Sequence, residues 1–491
     1  MEKENKIINE DDFKYANIKG LNPQHFRDNL KAFIDNINRK LKYFEKNSLL
    51  LIEGGKNPVR FDTDTNMYYF YQDPNFFYLT GINAIDFYGF LDFTTEELTV
   101  FMPNASEKER VYTRIPSYEE ILQKYGIKCL DLADLYQTIS FRNPKKLYRL
   151  KGTNSDSNHA VKTASFNPPE KYSNLSKLID DNELIYEILS DTRTRKTQKE
   201  KNLISYVVEK TCEAHIETIK SIEPNKIERE VENVFKSFVN KNLYCRENSY
   251  SPIVGTGVNS GTLHYGKNDQ TLKDGDLVLF DMGCRVAGYC SDITSTVPVN
   301  GKFTDKQKQI YNIVLKANRS VMEASKPGVY WPEMHLLAEK IILTELQKLG
   351  LLKSEFKVED MLKDRLGYYF MPHGLGHFIG MDCHDVGGYL SFTPPRSDLP
   401  GLKQLRTSRY LQEGNLITIE PGCYFIPFLL DKAMNDNTLQ KYLNKTLIRD
   451  EYYSFGGVRI EDNVYISKSG AENLSKSLPR TVEEIEKLMK N

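Results

Sequence analysis

The sequence lacks the features that mark several large protein classes. Its seven cysteines are an odd, scattered set without a Cys-x-x-Cys pair, which argues against a disulfide framework and a structural zinc site. No apolar run approaches the ~20 residues that a membrane-spanning helix needs, and the N-terminus lacks the basic and then apolar pattern of a signal peptide. We therefore expect reduced thiols and a cytoplasmic location.

An excess of charge of either sign is also lacking. Lys and Arg total 66 against 67 Asp and Glu, which gives a formal net charge of -1. Without a basic field the chain has no general attraction to nucleic acid or to a membrane surface. Neither a short-period repeat nor a low-complexity tract is present. Function should therefore reside in specific sites.

What the sequence does contain is 491 residues, enough for two or three domains. Residues 1–185 combine strand-like runs at 48–52 and 98–101 with a helical stretch at 26–41, which predicts an α/β domain. Residues 151–175 are typical of a loop. We place the domain boundary after this loop, at residue 185.

The second half of the chain alternates helical and strand-like segments. Apolar spacing and capping signals predict four helices, at residues 196–222, at residues 227–239, after Thr304, and from Pro332 to about Gly350. His215, inside the first of these helices, is given no role. Strand-like segments lie between and after the helices. The predicted fold class is therefore α/β (α+β).

The stretch 276–296 places two carboxylates among apolar and β-branched residues. Two strand-like runs flank a turn-like segment, which predicts a β-hairpin. With the turn centred between Val286 and Ala287, Asp281 and Asp292 would lie opposite each other with Cβ atoms ~4.5–5.5 Å apart. Two like charges on a half-buried sheet need a cation between them, or one must be protonated. A metal ion is the natural candidate.

Four of the eight histidines lie in motif-like settings, namely His264, His373, His377 and His384. Any one of them alone would suit a buried structural histidine, but four together favour a site. The glycines between His373 and His377 allow the backbone to approach its neighbours closely, as a ligand site in a packed region requires.

Two further carboxylates interrupt apolar strands near the C-terminal end. Glu420 ends a strand-like run just before Pro421. Period-two alternation places Arg459 and Glu461 on one face of another strand. That pair alone would also suit a solvated sheet face. Together with His377 and the other carboxylates, it favours a shared site.

Four carboxylates and one imidazole form an oxygen-rich donor set suited to two divalent cations with shared carboxylates. A bound metal lowers the pKa of water from about 15.7 to about 7, which corresponds to roughly 12 kcal/mol. A lone general base contributes ~10²–10⁴-fold, or about 3–5 kcal/mol. Metal activation of water should therefore dominate a hydrolytic reaction at this set.

The order of these residues resembles the pita-bread metallopeptidases, with Pro-His-Gly-Leu-Gly-His at 372–377 and Val-Arg-Ile-Glu at 458–461. Three further segments resemble the prolidase (Xaa-Pro dipeptidase) group of that family, at residues 279–283, 384–389 and 405–409. The likeness covers nearly the whole chain. It implies an aminopeptidase P-like N-terminal α/β domain over residues 1–185 and a pita-bread catalytic domain over residues 186–491.

The resemblance also implies how metals are held. Asp281 would bind one ion, and Asp292 and Glu461 would bridge two. His377 and Glu420 would hold the second ion, and Glu420 would also shuttle a proton. The implied cofactors are two Mn2+ ions per subunit, with Co2+ or Zn2+ as substitutes, and a metal-bridging water would attack the peptide carbonyl.

Catalytic and substrate-binding roles are implied for the remaining histidines and arginines. His373 would steady the substrate or its tetrahedral intermediate. His264 and His384 would surround the bound dipeptide and its carboxylate, in both binding and catalysis. Arg406 would contact the C-terminal carboxylate of the substrate, and Arg459 would support the metal-binding carboxylates.

These implications predict a homodimeric enzyme that hydrolyses Xaa-Pro dipeptides and releases proline or hydroxyproline. A charge-assisted contact of Arg406 contributes about 1.5–3 kcal/mol, which favours substrates that end after the scissile bond. The alternative enzyme is an aminopeptidase P that acts on longer Xaa-Pro peptides. The alternative from another class is a catalytically inactive pita-bread binding module. Residues 390–397 depart from the usual loop and leave the contacts at the edge of the substrate open.

Overall fold

A computed structural model describes residues 23–63, 70–243, 245 and 247–490. The chain divides into two compact units. The first comprises the residues up to Arg193 together with Thr197–Leu203, and the second comprises Thr194–Lys196 and the residues from Ile204 onward. Within the described ranges, none of the helices has both the length and the apolar character that a membrane span requires.

The first unit contains a six-stranded sheet. Its strands are β1 (Ser48–Glu53), β2 (Tyr88–Asp92), β3 (Glu97–Met102), β4 (Lys128–Asp131), β5 (Lys146–Arg149) and β6 (Ile179–Asp180). The strand order is β4-β3-β2-β1-β5-β6, and β1 pairs antiparallel with β2 but parallel with β5. The central strand β1 is buried along its whole length, which explains the unbroken apolar run at residues 49–52.

Helices flank this sheet in sequence, and the apolar side chains of the strands form a core with them. The helices are α1 (Pro23–Lys40), α2 (Pro74–Thr80), α3 (Glu107–Tyr112), α4 (Tyr118–Tyr125), α5 (Leu135–Arg142) and α6 (Glu183–Thr194). Leu49, Phe90, Phe101 and Leu147 of the sheet pack with Ile139 of α5. This mixture of strands and helices confirms the α/β class predicted for the N-terminal part.

The second unit combines longer helices with several small antiparallel sheets. Its helices are α7 (Gln198–Ser221), α8 (Glu228–Leu243), α9 (Asp305–Ala324), α10 (Trp331–Lys348), α11 (Val358–Lys363), α12 (Pro427–Asn435), α13 (Lys445–Leu447) and α14 (Val482–Met489). Its strands are β7 (Ile253–Thr256), β8 (Leu277–Asp281), β9 (Arg285–Val286), β10 (Tyr289–Cys290), β11 (Thr294–Pro298), β12 (Leu416–Ile419), β13 (Gly422–Phe425), β14 (Gly456–Arg459), β15 (Asp462–Ser467) and β16 (Gly470–Asn473). The larger of these sheets have the orders β11-β8-β7 and β12-β15-β16.

The four helices predicted for this part of the chain are α7 to α10. The backbone N–H of Gln307 donates to the Thr304 hydroxyl, and the Gln307 side chain accepts from the Thr304 N–H, so the predicted capping box begins α9. Pro332 lies in the first turn of α10, and Gly350 follows its end with φ of 79°. Both signals therefore acted as expected.

The predicted hairpin is present, but the predicted register is wrong by two residues. Asp281 on β8 lies opposite Thr294 on β11, and β9 and β10 lead to a two-residue turn at Ala287 and Gly288. Both turn residues have positive φ, 49° and 82°, as a turn that follows the twist of the strands requires. A turn one residue earlier would force the β-branched Val286 to positive φ, which its side chain disfavours.

Candidate metal centre and active site

A cavity of about 600 Å³ in the second unit collects every residue that the sequence predicts for the site. The cavity is lined by Asp281, Asp292, His377, Glu420, Glu461, His264, His373, His384, Arg406 and Arg459, among others. The most distant of these residues, His264 and Glu461, are almost two hundred positions apart in the sequence. It is the fold that brings them together.

The two hairpin aspartates lie on the same face despite the corrected register. Asp292 precedes Thr294, the partner of Asp281, by two residues, and the ladder continues through the bond from Met282 N to Ile293 O at 3.0 Å. Side chains two residues apart in a strand share a face. The aspartates are therefore diagonal neighbours, and their like charges still need a cation between them unless one is protonated.

Three overlapping groups of side chains place their ligand atoms within 4.8 Å of one another. The groups are Asp281–Asp292–Glu461, His377–Glu420–Glu461 and Asp292–His377–His384. The five predicted ligands are thus adjacent in space. His384, predicted to act on the substrate, joins them, and its ring centroid lies 4.5 Å from that of His377.

Glycine positions the segment that carries His377. A Cβ atom on Gly376 would collide with the carbonyl oxygen of Thr418 on β12. The Thr418 hydroxyl in turn accepts a hydrogen bond from the His377 N–H at 3.0 Å. The close backbone approach that the sequence predicts here is confirmed.

The orientation of the His377 ring follows from its hydrogen bonds. Nδ1 donates to the carbonyl oxygen of Phe378 at 2.9 Å. Nε2 therefore faces the carboxylates, 3.4 Å from Asp292 Oδ2 and 3.5 Å from Glu420 Oε1. This is the tautomer arrangement that a metal-binding histidine requires.

Arg459 links the two sides of the centre. Its guanidinium donates to Asp281 Oδ2 at 2.8 Å, to the Tyr424 hydroxyl at 2.9 Å and to Thr294 Oγ1 at 3.0 Å. Only 4% of its surface is exposed, so it does not lie on a solvated sheet face. The Tyr250 hydroxyl donates to the other oxygen of Asp281 at 2.5 Å.

His373 is held on the far side of Tyr424. Its Nδ1 donates to the carbonyl oxygen of Gly374 at 2.8 Å, and its Nε2 accepts from the Tyr424 hydroxyl at 3.0 Å. Burial and the charge of Arg459 lower the pKa of His373 to about 3. The ring is therefore neutral at physiological pH, and its Nδ1 lies 3.8 Å from Glu420 Oε2.

Several supporting contacts carry no signal that sequence reasoning could have found. Cys383 Sγ donates to Asp292 Oδ2 at 3.0 Å, and Thr294 Oγ1 donates to Glu461 Oε2 at 2.8 Å. Arg480, which is 2% exposed, donates to the backbone carbonyls of Glu461 and of Thr294. Each partner is remote in sequence, so no local spacing connects the pairs.

His215, given no role from sequence, also supports the centre. Its Nε2 donates to the Met282 carbonyl oxygen at 2.8 Å, and its Nδ1 accepts from Ser295 Oγ at 3.2 Å. The ring thus connects α7 to both strands of the hairpin that carries Asp281.

Burial dominates the electrostatics of the carboxylates. It raises the pKa of Asp281 to about 6, although the Arg459 guanidinium favours the charged form. Burial also raises the pKa of Glu420 to about 7, against the opposing charge of His377. Burial and the charge of Asp292 raise the pKa of Glu461 well above its usual range.

Asp292 differs from the other three carboxylates. Burial opposes its ionisation, but the Cys383 thiol and, when its ring is protonated, the charge and hydrogen bond of His377 outweigh that effect and hold its pKa below the usual range. The set as a whole carries more carboxylate than its arginine and histidine can balance. Divalent cations would supply the missing positive charge, so this donor set fits a metal centre.

The outer part of the cavity is less buried. His264 is exposed and Arg406 is half-buried at the rim, whereas the carboxylates lie at the closed end. Apolar side chains, among them Ile253 and Leu263, complete this part of the wall. A small ligand can therefore enter past the basic rim and reach the carboxylates.

Two family models match the chain. Residues 202–468 match the metallopeptidase family M24, and residues 26–148 match the N-terminal domain of aminopeptidase P. The first match spans more than half of the sequence. The chain belongs to metallopeptidase family M24. The predicted fold, an N-terminal α/β domain followed by a pita-bread domain, is confirmed.

Relatives of this M24 protein extend over nearly its full length. The Xaa-Pro dipeptidase of Rattus norvegicus is 40% identical over 92% of this chain and 90% of its own. A probable Xaa-Pro aminopeptidase of Paracoccidioides brasiliensis is 34% identical over 90% of this chain and 92% of its own. Zinc-substituted E. coli aminopeptidase P in complex with product superposes with a TM-score of 0.76 at 26% identity and covers 96% of this chain and 99% of that one. This chain is therefore a metallopeptidase that uses a divalent metal.

Proposed function

We propose that this M24 enzyme is a dinuclear metal-dependent Xaa-Pro dipeptidase that releases proline or hydroxyproline. The observation that carries the proposal is the convergence of five metal-ligand candidates and Arg406 on one cavity. The 40% identity to an Xaa-Pro dipeptidase along nearly the whole chain supports the same activity.

Asp281, Asp292, His377, Glu420 and Glu461 would hold two divalent ions. Asp292, Glu461 and His377 each belong to two of the three ligand groups, and of these the two carboxylates have a second oxygen with which to bridge two ions, which supports a bridging role for Asp292 and Glu461. We propose Mn2+ as the resident ion, with Co2+ or Zn2+ as substitutes, because the donors are mostly carboxylate oxygens. When bound, the ions lower the pKa of a water to about 7 and so supply the nucleophile.

Glu420 suits the transfer of the proton. Its carboxylate lies at the closed end of the cavity, 3.8 Å from His373 Nδ1, where it can accept the proton of the attacking water and pass it on. The neutral His373 lies beside it, and its ring is held by the Gly374 carbonyl and the Tyr424 hydroxyl. Its Nδ1–H would turn from the Gly374 carbonyl to the substrate carbonyl oxygen as charge develops there. His264 would contact the dipeptide and take part in catalysis from the rim. His384 would do so from the side of the metal ligands.

Arg406 sets the length of the substrate in this proposal. Its guanidinium borders the cavity at the rim, where the carboxylate of a bound dipeptide would lie. A peptide that continues beyond proline replaces that carboxylate with a neutral amide and loses the charge-assisted contact. Free proline keeps this carboxylate, so the same contact with Arg406 would also bind the released product.

An aminopeptidase P that removes the N-terminal residue from longer Xaa-Pro peptides is the second candidate. The relative from Paracoccidioides brasiliensis and the E. coli structure support it, since both are named as enzymes of that type. Their identities, 34% and 26%, are below the 40% of the dipeptidase. A catalytically inactive binding module is disfavoured because every proposed ligand position carries a metal-binding side chain.

The domain bounds, the location, the oligomeric state and the partners are also part of the proposal. Residues 1–185 would form the N-terminal domain and residues 186–491 the catalytic domain. The enzyme would be a cytoplasmic homodimer, without a nucleic acid or membrane partner.

The test compares Gly-Pro with the tripeptide Gly-Pro-Ala after the full-length protein is loaded with Mn2+. A dipeptidase should give a kcat/KM for Gly-Pro at least about 10-fold higher, the lower end of a charge-assisted contact. Preference for the tripeptide would instead identify an aminopeptidase P. If neither peptide is hydrolysed and the protein binds no metal, the result would favour a catalytically inactive binding module.

A further inference from the structure

A strap of chain from Pro400 to Arg406, which we name the rim strap, borders the open side of the cavity. Two of its residues, Gln404 and Arg406, line the cavity. Leu405 between them is fully buried, with φ of −59° and ψ of 135°. Because Leu405 is buried while both of its neighbours border the cavity, Gln404 and Arg406 lie on the same side of the strap. Gln404 and Arg406 therefore present their polar ends to the same space.

The amide of Gln404 has a defined orientation. Its Oε1 accepts a hydrogen bond from the Gly401 N–H at 2.9 Å, which identifies the oxygen and leaves Nε2 as the free end. Gly401 has φ of 82°, in the left-handed region that favours glycine. Among the residues that the structure describes, Nε2 of Gln404 has no acceptor.

The strap is held from outside by the loop that departs from the usual family pattern. Arg396 donates from Nη1 to the carbonyl oxygens of Lys403, at 3.2 Å, and Leu405. Its guanidinium lies 4.2 Å from the ring centroid of Tyr389, and the Tyr389 hydroxyl donates to the same Leu405 carbonyl at 2.9 Å. The backbone on both sides of Gln404 is therefore fixed.

The strap is also held from below by a buried cluster. Arg365 donates from Nε to the Pro400 carbonyl oxygen at 2.8 Å and from Nη2 to Glu339 Oε1 at 2.8 Å. The Glu339 carboxylate is fully buried and also contacts His335. With both of its ends anchored, the strap offers donors that are oriented before a substrate arrives.

We propose that Gln404 is a specificity-determining residue that donates from Nε2 to the C-terminal carboxylate of the substrate, beside Arg406. This inference rests on the proposed dipeptidase function. A neutral amide is suited to this place, because it adds a second hydrogen-bond donor without adding a positive charge near the metal centre. The two donors together select a free carboxylate over an amide, which offers one acceptor oxygen and no charge.

The experiment measures Gln404→Leu and Gln404→Glu in the Mn2+-loaded, full-length protein on Gly-Pro and on Gly-Pro amide. For Gln404→Leu we expect KM for Gly-Pro to rise about 10-fold with little change in kcat, and KM for the amide to stay within about twofold. Gln404→Glu should raise KM for Gly-Pro further, because its charge repels the carboxylate and pairs with Arg406. Gln412→Leu, an exposed glutamine of the same segment that does not line the cavity, is the matched control.

Equal changes on both peptides, or no change on either, would overturn the role of Gln404. Calorimetric titration of each variant with proline and with prolinamide provides a second readout that does not depend on turnover. Weaker binding of proline alone by Gln404→Leu supports the contact, and unchanged proline binding contradicts it. Failure of the wild-type protein to hydrolyse Gly-Pro would count against the proposed function itself, and is thus distinguishable from failure of this inference.

Discussion

The closed end of the cavity and its open rim are built by different means. At the closed end, Asp292, His377, Arg459 and Glu461 are each no more than 5% exposed and are linked side chain to side chain. At the rim, the half-exposed Gln404 and Arg406 are positioned chiefly through backbone carbonyls of the strap that carries them.

This difference in construction separates selectivity for the metal, at the closed end, from selectivity for the substrate, at the rim. A buried hydrogen-bond network fixes the metal-binding side chains before any ion arrives. The position of each side chain then depends on the others in the network. A strap anchored through its backbone leaves its side chains free to change without disturbing the fold. We therefore expect substitutions at the closed end to lower metal content and kcat, and substitutions at the rim to change KM.

The largest expected effect is at Asp281. In Asp281→Asn the neutral amide can no longer offset the charge of a metal, so we expect kcat/KM for Gly-Pro to fall by about 10³-fold, or about 4 kcal/mol. The measurement pairs initial rates with metal content by mass spectrometry after dialysis. Asp276→Asn, on the same hairpin but outside the cavity, is the control. Full activity with an unchanged metal content would show that Asp281 is not a ligand.

An intermediate effect is expected for Arg459→Lys. A lysine keeps the charge but cannot reach Asp281, Tyr424 and Thr294 together with one ammonium group. Loss of such a supporting contact typically lowers metal affinity or activity by about 10- to 100-fold. Isothermal titration with Mn2+ and initial rates test this, with the exposed Arg449→Lys as control. Wild-type metal affinity in Arg459→Lys would contradict the link between this network and the metal centre.

The smallest effect is expected at the rim. Arg406→Met should raise KM for Gly-Pro by about 10-fold and leave kcat within about twofold, because the contact is lost equally in the ground and transition states. Lys403→Met removes a positive charge from the same strap outside the cavity and should have no such effect. A fall in kcat with unchanged KM would show that the rim and the closed end are not independent.

The sequence was most informative where one local signal determines the structure. The capping box at Thr304 and the proline of α10 predict their helices, because each acts within one turn. The five ligand candidates could be found because a carboxylate or an imidazole in an apolar strand is costly unless it has a partner. Their individual roles came only from the resemblance and remain proposals.

What the sequence could not provide lies in long-range pairing and exact register. Tyr424 contacts Arg459 35 positions away, Cys383 contacts Asp292 91 positions away and Arg480 contacts Thr294 186 positions away, and no spacing rule connects these pairs. The predicted hairpin register was wrong because the apolar pattern fits both the predicted and the observed strand pairing. Only the positive φ that the turn residues must adopt distinguishes the two pairings.

The turn at Ala287 and Gly288 has a consequence for the lengths of chain that this hairpin can accept. Because strand side chains alternate with a period of two, a register shift of one residue moves a side chain to the opposite face. The difference between the predicted and the observed register is two residues, and the aspartates kept their common face. Insertions or deletions that shift the pairing by an even number should therefore preserve a shared pocket for Asp281 and Asp292. An odd shift should separate them unless a bulge absorbs the extra residue.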